Sequence, residues 1–220
     1  MKSLQTILAL ALILSFVAPF SVLADPSDPW YNGSWAYRVT VTVNNAQVDA
    51  DLTDYPVYVD LSTLPAGFHT NVKSDGSDIR VTSGDGTTEL AREVVIYDAA
   101  TDTGELHFKA PTVASATDTE FYIYYGNAAA STYARADTYG TENTWNSTYR
   151  AVYHLQEDGN TTADGYLDST ANDRHAVGVA LTNSSDVTGK LGTSQNFDGS
   201  SQYISLDSGT LTLANATTEI

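Results

Sequence analysis

Short stretches in which apolar and polar side chains alternate one position at a time recur along this 220-residue chain, and that alternation points to sheet. A strand turns successive side chains to opposite faces, so a period of two buries one face and wets the other. Trp35, Tyr37, Val39, Val41 and Val43 form one such row, with Arg38, Thr40 and Thr42 on the far side. Val57, Val59 and Leu61 repeat it after Pro56, and Ile79 with Val81 makes a short strand. Leu90 to Tyr97 is longer and more apolar, which predicts burial on much of both faces. Leu106 and Phe108 alternate with Glu105, His107 and Lys109, and Phe121, Ile123 and Tyr125 alternate with Tyr122 and Tyr124. Asn44-Asn45, Ser74-Asp75-Gly76, Gly84-Asp85-Gly86 and Asp102-Thr103-Gly104 supply turns, and Gly126-Asn127 stops the last strand. About six short strands at this spacing predict an all-β fold, an antiparallel β-sandwich. Its expected core is Trp35, Val39, Val57, Val59, Ile79, Val94, Ile96, Phe108 and Ile123.

The pattern lapses from Ala128 to Thr148, where Ala, Ser, Thr, Asn and Gly prevail. This reads as a connector, partly ordered by Tyr133, Tyr139 and Trp145. Alternation resumes at Tyr149, Ala151, Tyr153 and Leu155, with further short strands expected near 175–181, 194–197 and 202–206. The expected organisation is a leader at 1–24, a β-sandwich module at 25–130, a linker at 131–148 and a second β module at 149–220.

The leader is read from its own pattern. Lys2 precedes the apolar run Ile7 to Val17, Pro19 breaks it, and Ser21-Val22-Leu23-Ala24 ends with residues suited to signal peptidase. Cleavage is expected between Ala24 and Asp25, leaving no membrane span, since spanning needs about 20 apolar residues. The mature protein is expected to be secreted or otherwise extracytoplasmic, at the cell surface or in a periplasm. There are no cysteines, which excludes disulfides, thiolate metal sites and a cysteine nucleophile. Acids outnumber bases 27 to 10, giving a net charge of −17, which argues against nucleic acid as a partner.

Two family resemblances add to this reading. The segments Trp35-Ala36-Tyr37-Arg38, Asp54-Tyr55-Pro56-Val57, Asp75-Gly76-Ser77-Asp78-Ile79-Arg80-Val81 and Phe121-Tyr122-Ile123-Tyr124-Tyr125-Gly126-Asn127 resemble the domain of unknown function family 2341. The resemblance covers about residues 30 to 130. It implies an extracytoplasmic module, found in some proteins beside laminin-G-like lectin modules and in others ahead of an ExbB-like proton-channel domain. It implies no particular activity. Farther on, Tyr153-His154-Leu155-Gln156-Glu157, Leu167-Asp168-Ser169-Thr170-Ala171-Asn172, Gly189-Lys190-Leu191-Gly192 and Asn196-Phe197-Asp198-Gly199 resemble the opening of a concanavalin A-like, laminin-G-type jelly roll. The resemblance implies a partial jelly roll, whose remaining strands are expected beyond Ile220.

Candidate chemistry is sparse. No nucleophile elbow or zinc-protease helix is present, and His69, His107, His154 and His175 are scattered, none at metal spacing with another. Asp75 and Asp78 can be drawn as an acid and base pair, but capping of a turn accounts for both. Asp168, Asn172 and Asp173 cluster oxygen donors of the kind calcium takes, or else tie their turn by local hydrogen bonds. Tyr122 and Tyr124 share a face and offer either a ligand platform for sugar rings or cross-strand packing. The expected function is a non-catalytic secreted or surface module that binds glycan or mediates adhesion to a surface protein. The alternatives are an accessory region of a larger secreted hydrolase, and the periplasmic part of an ExbB-like proton-channel protein.

Overall fold

Two three-stranded antiparallel sheets organise the first half of the chain. The computed structural model describes residues 29–157, 161–182, 185–190 and 192–206. The expected leader at 1–24 and the stretch after 206 lie outside them. The first sheet takes strands β1 (Tyr37–Val43), β3 (Arg80–Ser83) and β6 (Thr119–Tyr125) in the order β1-β6-β3. The second takes β2 (Leu52–Asp60), β4 (Arg92–Asp98) and β5 (Thr103–Val113) in the order β2-β5-β4. Val39, Val41, Val81 and Ile123 from the first sheet meet Val57, Val59, Leu106 and Phe108 from the second in one hydrophobic cluster. Phe108 and Phe121 touch edge to face at 4.8 Å across it. Each such buried side chain contributes about 1.5–3 kcal/mol over exposure.

A short helix, α1 (Ala66–Asn71), follows Pro65 and was not foreseen from the alternation. It drives Phe68 into the same core, where its ring meets Tyr125 at 4.9 Å. After β6 the chain turns at Gly126, whose φ of +85° suits glycine, and whose added Cβ would stand 2.5 Å from the Tyr37 ring.

The expected core needs correction in β4, where Val94 is only partly buried against the cluster. Ile96 is only half-buried, and Tyr97 takes the inward place. The cause is a bulge: Val94 pairs with Leu106, but Ile96 pairs with Glu105, so one extra residue flips the strand's facing between them. Trp35 is buried as expected, but in a satellite cluster with Tyr124 and Ala130, not in the main core. On that side of the first sheet two arginines are buried too, while Thr40 stays exposed. Arg38 lies over the rings of Trp30 (4.8 Å) and Tyr122 (4.2 Å), and Arg80 over Tyr133 (4.4 Å).

Residues 131–148 are packed along the first half. Arg80 donates to the Ser131 carbonyl, Tyr133 donates to Glu89, and the Arg92 amide donates to the Tyr139 carbonyl. The strand expected at Tyr149 to Leu155 does not form. Its backbone groups bond to side chains in place of a ladder: Asp168 accepts from the Val152 amide, and Asn172 donates to the Tyr149 and Arg150 carbonyls. Later strands are short. Antiparallel pairing joins β7 (Ala176–Val179) to β10 (Tyr203–Leu206), and β8 (Asp186–Thr188) to β9 (Thr193–Gln195). Tyr166, Ala176 and Leu181 form a small core with Tyr153, Leu155 and Ile204 packed against it.

Candidate functional site

The outer face of the second sheet carries a row of polar and aromatic side chains, set by strand register. Tyr58 on β2 and Glu93 on β4 both pair with His107 on β5. Glu105 stands two residues before His107 and therefore on the same face. Residues 145–154 cross this face and add Trp145 and His154, whose rings lie 4.9 Å and 5.6 Å from that of His107.

The polar contacts converge. His107 Nε2 lies 2.7 Å from Glu105 Oε1, and His154 Nδ1 lies 3.7 Å from the same oxygen. The other His154 nitrogen, Nε2, lies 3.2 Å from Glu93 Oε2. Glu93 also accepts from Trp145 Nε1 at 2.8 Å and from Ser169 Oγ at 2.6 Å. Its carboxylate is thus held on three sides while nearly buried. The His107 hydrogen bond holds the Glu105 carboxyl below the usual carboxylate range, against the upward push of burial. Burial pushes the His154 imidazole down, but the Glu93 bond and the charges of Glu93, Glu105 and Glu157 outweigh it and raise it.

Glu105, His107 and His154 each bring one donor atom within 4.8 Å of the others. Among the described residues they are the group of histidines and carboxylates able to hold a metal ion. The arrangement can therefore share a proton between imidazole and carboxylate, or coordinate a cation. The expectation that no histidine lies at metal spacing with another is corrected here: folding brings two of the four together. Glu105-x-His107 on a strand was a local signal, because two residues apart means one face. His154 had no local signal.

The residues singled out from sequence fall elsewhere. Asp168 is fully buried, and its carboxylate accepts from the Val152 and Thr170 amides, the Thr170 hydroxyl and the Arg174 amide, at 2.9–3.0 Å. Asn172 spends its amide on the Tyr149 and Arg150 carbonyls, and the exposed Asp173 lies 3.9 Å from His175. These bonds tie the turn locally. Tyr124 is fully buried, donating to the Gly86 carbonyl and accepting from Arg38, so its ring offers no face to a ligand. Tyr122 is half-buried under the Arg38 guanidinium. Asp75 caps the Ser77 amide, and the buried Asp78 accepts from the amides of Lys73, Gly126 and Asn127.

A groove of about 260 Å³ opens at the end of the second sheet. Leu52, Tyr55 and Val113 wall it, and the exposed Gln47 and Asp49 stand at its rim. Nothing in the period-two pattern marked it, because its rim comes from the turn between β1 and β2.

Residues 75–202 match the family model described as domain of unknown function (DUF2341). The chain belongs to the DUF2341 family. The match takes in Glu93, Glu105, His107, His154 and Asp168, and runs on past the connector through β9. The groove residues Gln47 to Tyr55 precede the DUF2341 match. No curated protein and no solved structure matches the chain. Among the described residues no helix is long and apolar enough to cross a membrane.

Proposed function

We propose that this chain is an extracytoplasmic module that acts by binding and not by turnover, and that its ligand is a glycan. The groove beside Tyr55 carries the reading. One wall is aromatic and aliphatic, fit to pack the C–H face of a sugar ring. The rim offers an amide and a carboxylate for its hydroxyls. The size suits one or two sugar units at a chain end. Export rests on the leader pattern of residues 1–24, and a mature chain beginning at Asp25 is its test by N-terminal sequencing. In the same reading, the part from 149 onward is akin to a concanavalin A-like jelly roll, a view supported by the antiparallel pairs β7–β10 and β8–β9.

The test is a glycan array followed by calorimetry on the full chain. Saturable binding of one glycan class, lost in Tyr55→Ala and weakened in Asp49→Asn, is expected. Binding that survives both substitutions, or no binding at all, overturns the assignment.

A further inference from the structure

The outer face of the second sheet carries more than packing. We propose that Glu105, His107 and His154 bind a divalent transition-metal ion of the zinc class, which fastens β5 to the segment that follows the connector. The donors are two imidazole nitrogens and one carboxylate oxygen, the set that zinc takes from proteins. With bonds of about 2.0–2.2 Å, tetrahedral ligand atoms stand about 3.4 Å apart. The separations of 2.7 Å and 3.7 Å about Glu105 Oε1 bracket that figure. Nitrogen donors select zinc, nickel or copper over calcium and magnesium, which prefer an all-oxygen shell.

A second observation points the same way. Metal-bound histidines donate their other ring N–H to a carboxylate, which fixes tautomer and orientation. His154 has this arrangement: Nδ1 faces Glu105, while Nε2 faces Glu93 at 3.2 Å. Glu93 is fixed in turn by Trp145 and Ser169. Glu93 is thus a positioning residue, and the other three are the ligands. The site is shielded but not sealed, with the side chains of His107, His154 and Glu105 12–19% exposed. An ion can reach it from solvent, and the net charge of −17 draws cations toward the protein.

The experiment uses the full chain purified without a histidine tag, stripped with chelator and titrated with zinc chloride. Calorimetry should give one ion per chain, and zinc should raise Tm. His107→Gln and His154→Gln should each weaken binding at least about tenfold, and Glu93→Gln by about 10–100-fold with all three ligands intact. His69→Gln and His175→Gln should leave it unchanged. Circular dichroism checks that each variant folds. The wild-type chain supplies an independent readout by NMR: zinc should shift the ring protons of His107 and His154 but not those of His69 and His175. Absence of saturable binding, a shift confined to another pair of histidines, or equal competition by calcium overturns the proposal. The glycan reading stands or falls separately, since its groove shares no residue with this cluster.

Discussion

His154 Nε2 lies 3.2 Å from Glu93 Oε2, a contact between residues 61 positions apart. It joins the second sheet to the chain beyond the connector. Trp145, within the connector, and Ser169, beyond it, reach the same carboxylate as well. One acidic side chain on β4 therefore gathers three separate elements.

Glu93→Ala should lower stability by about 1–3 kcal/mol, because it takes the acceptor from the buried Ser169 hydroxyl and from the partly buried Trp145 and His154 donors. Urea unfolding measures the loss. Limited proteolysis should show new cleavage within 145–170 while the two sheets stay resistant. A variant as stable and as protected as wild type would show that the segment is held by other contacts.

The bulge in β4 sets an order of costs. Leu106→Ala removes a fully buried side chain and should cost about 2–5 kcal/mol. Ile96→Ala should cost clearly less, since the bulge leaves Ile96 half-buried. Equal losses in chemical denaturation would place Ile96 in the core and refute the register.

Asp78 ties the turn before β3 to the turn after β6 through the Lys73, Gly126 and Asn127 amides. Asp78→Ala leaves three amides to find water and should cost about 1–3 kcal/mol. Hydrogen exchange of those amides should quicken together. Exchange that stays slow at Gly126 would contradict the shared anchor.

Acid should weaken the fold through its turns. The Ser115 amide holds the Asp51 carboxyl below its ordinary value, the Thr88 hydroxyl does so for Asp85, and the Ala100 amide for Asp98. A folded pKa below the unfolded one adds stability that is complete above the unfolded value, about 3.9, and lost as pH falls through the folded value. The urea midpoint should therefore drop below about pH 4. Replacing all three with Asn should flatten that drop, and an unchanged acid limb would assign it to other carboxylates.

The strands of the first half were readable because burial on one face imposes a period that any strand must show. Val39, Val57, Phe108 and Ile123 all lie in the core as their spacing required. The bulge at Val94/Ile96 was not readable, since an extra residue in a uniformly apolar run leaves the pattern unchanged. Tyr149 to Leu155 alternates like a strand yet forms none, because Asp168 and Asn172 claim its backbone groups from a distance.

The sequence by itself determined the β class, the positions of most turns, and the sharing of one strand face by Glu105 and His107. Those follow from local geometry and the burial of alternate residues. Only the tertiary structure decided that His154 meets them, that Tyr124 is sealed beneath Arg38, and that Asp168 serves its turn. Contacts of that kind depend on how distant segments pack, and packing leaves no periodic trace along the chain.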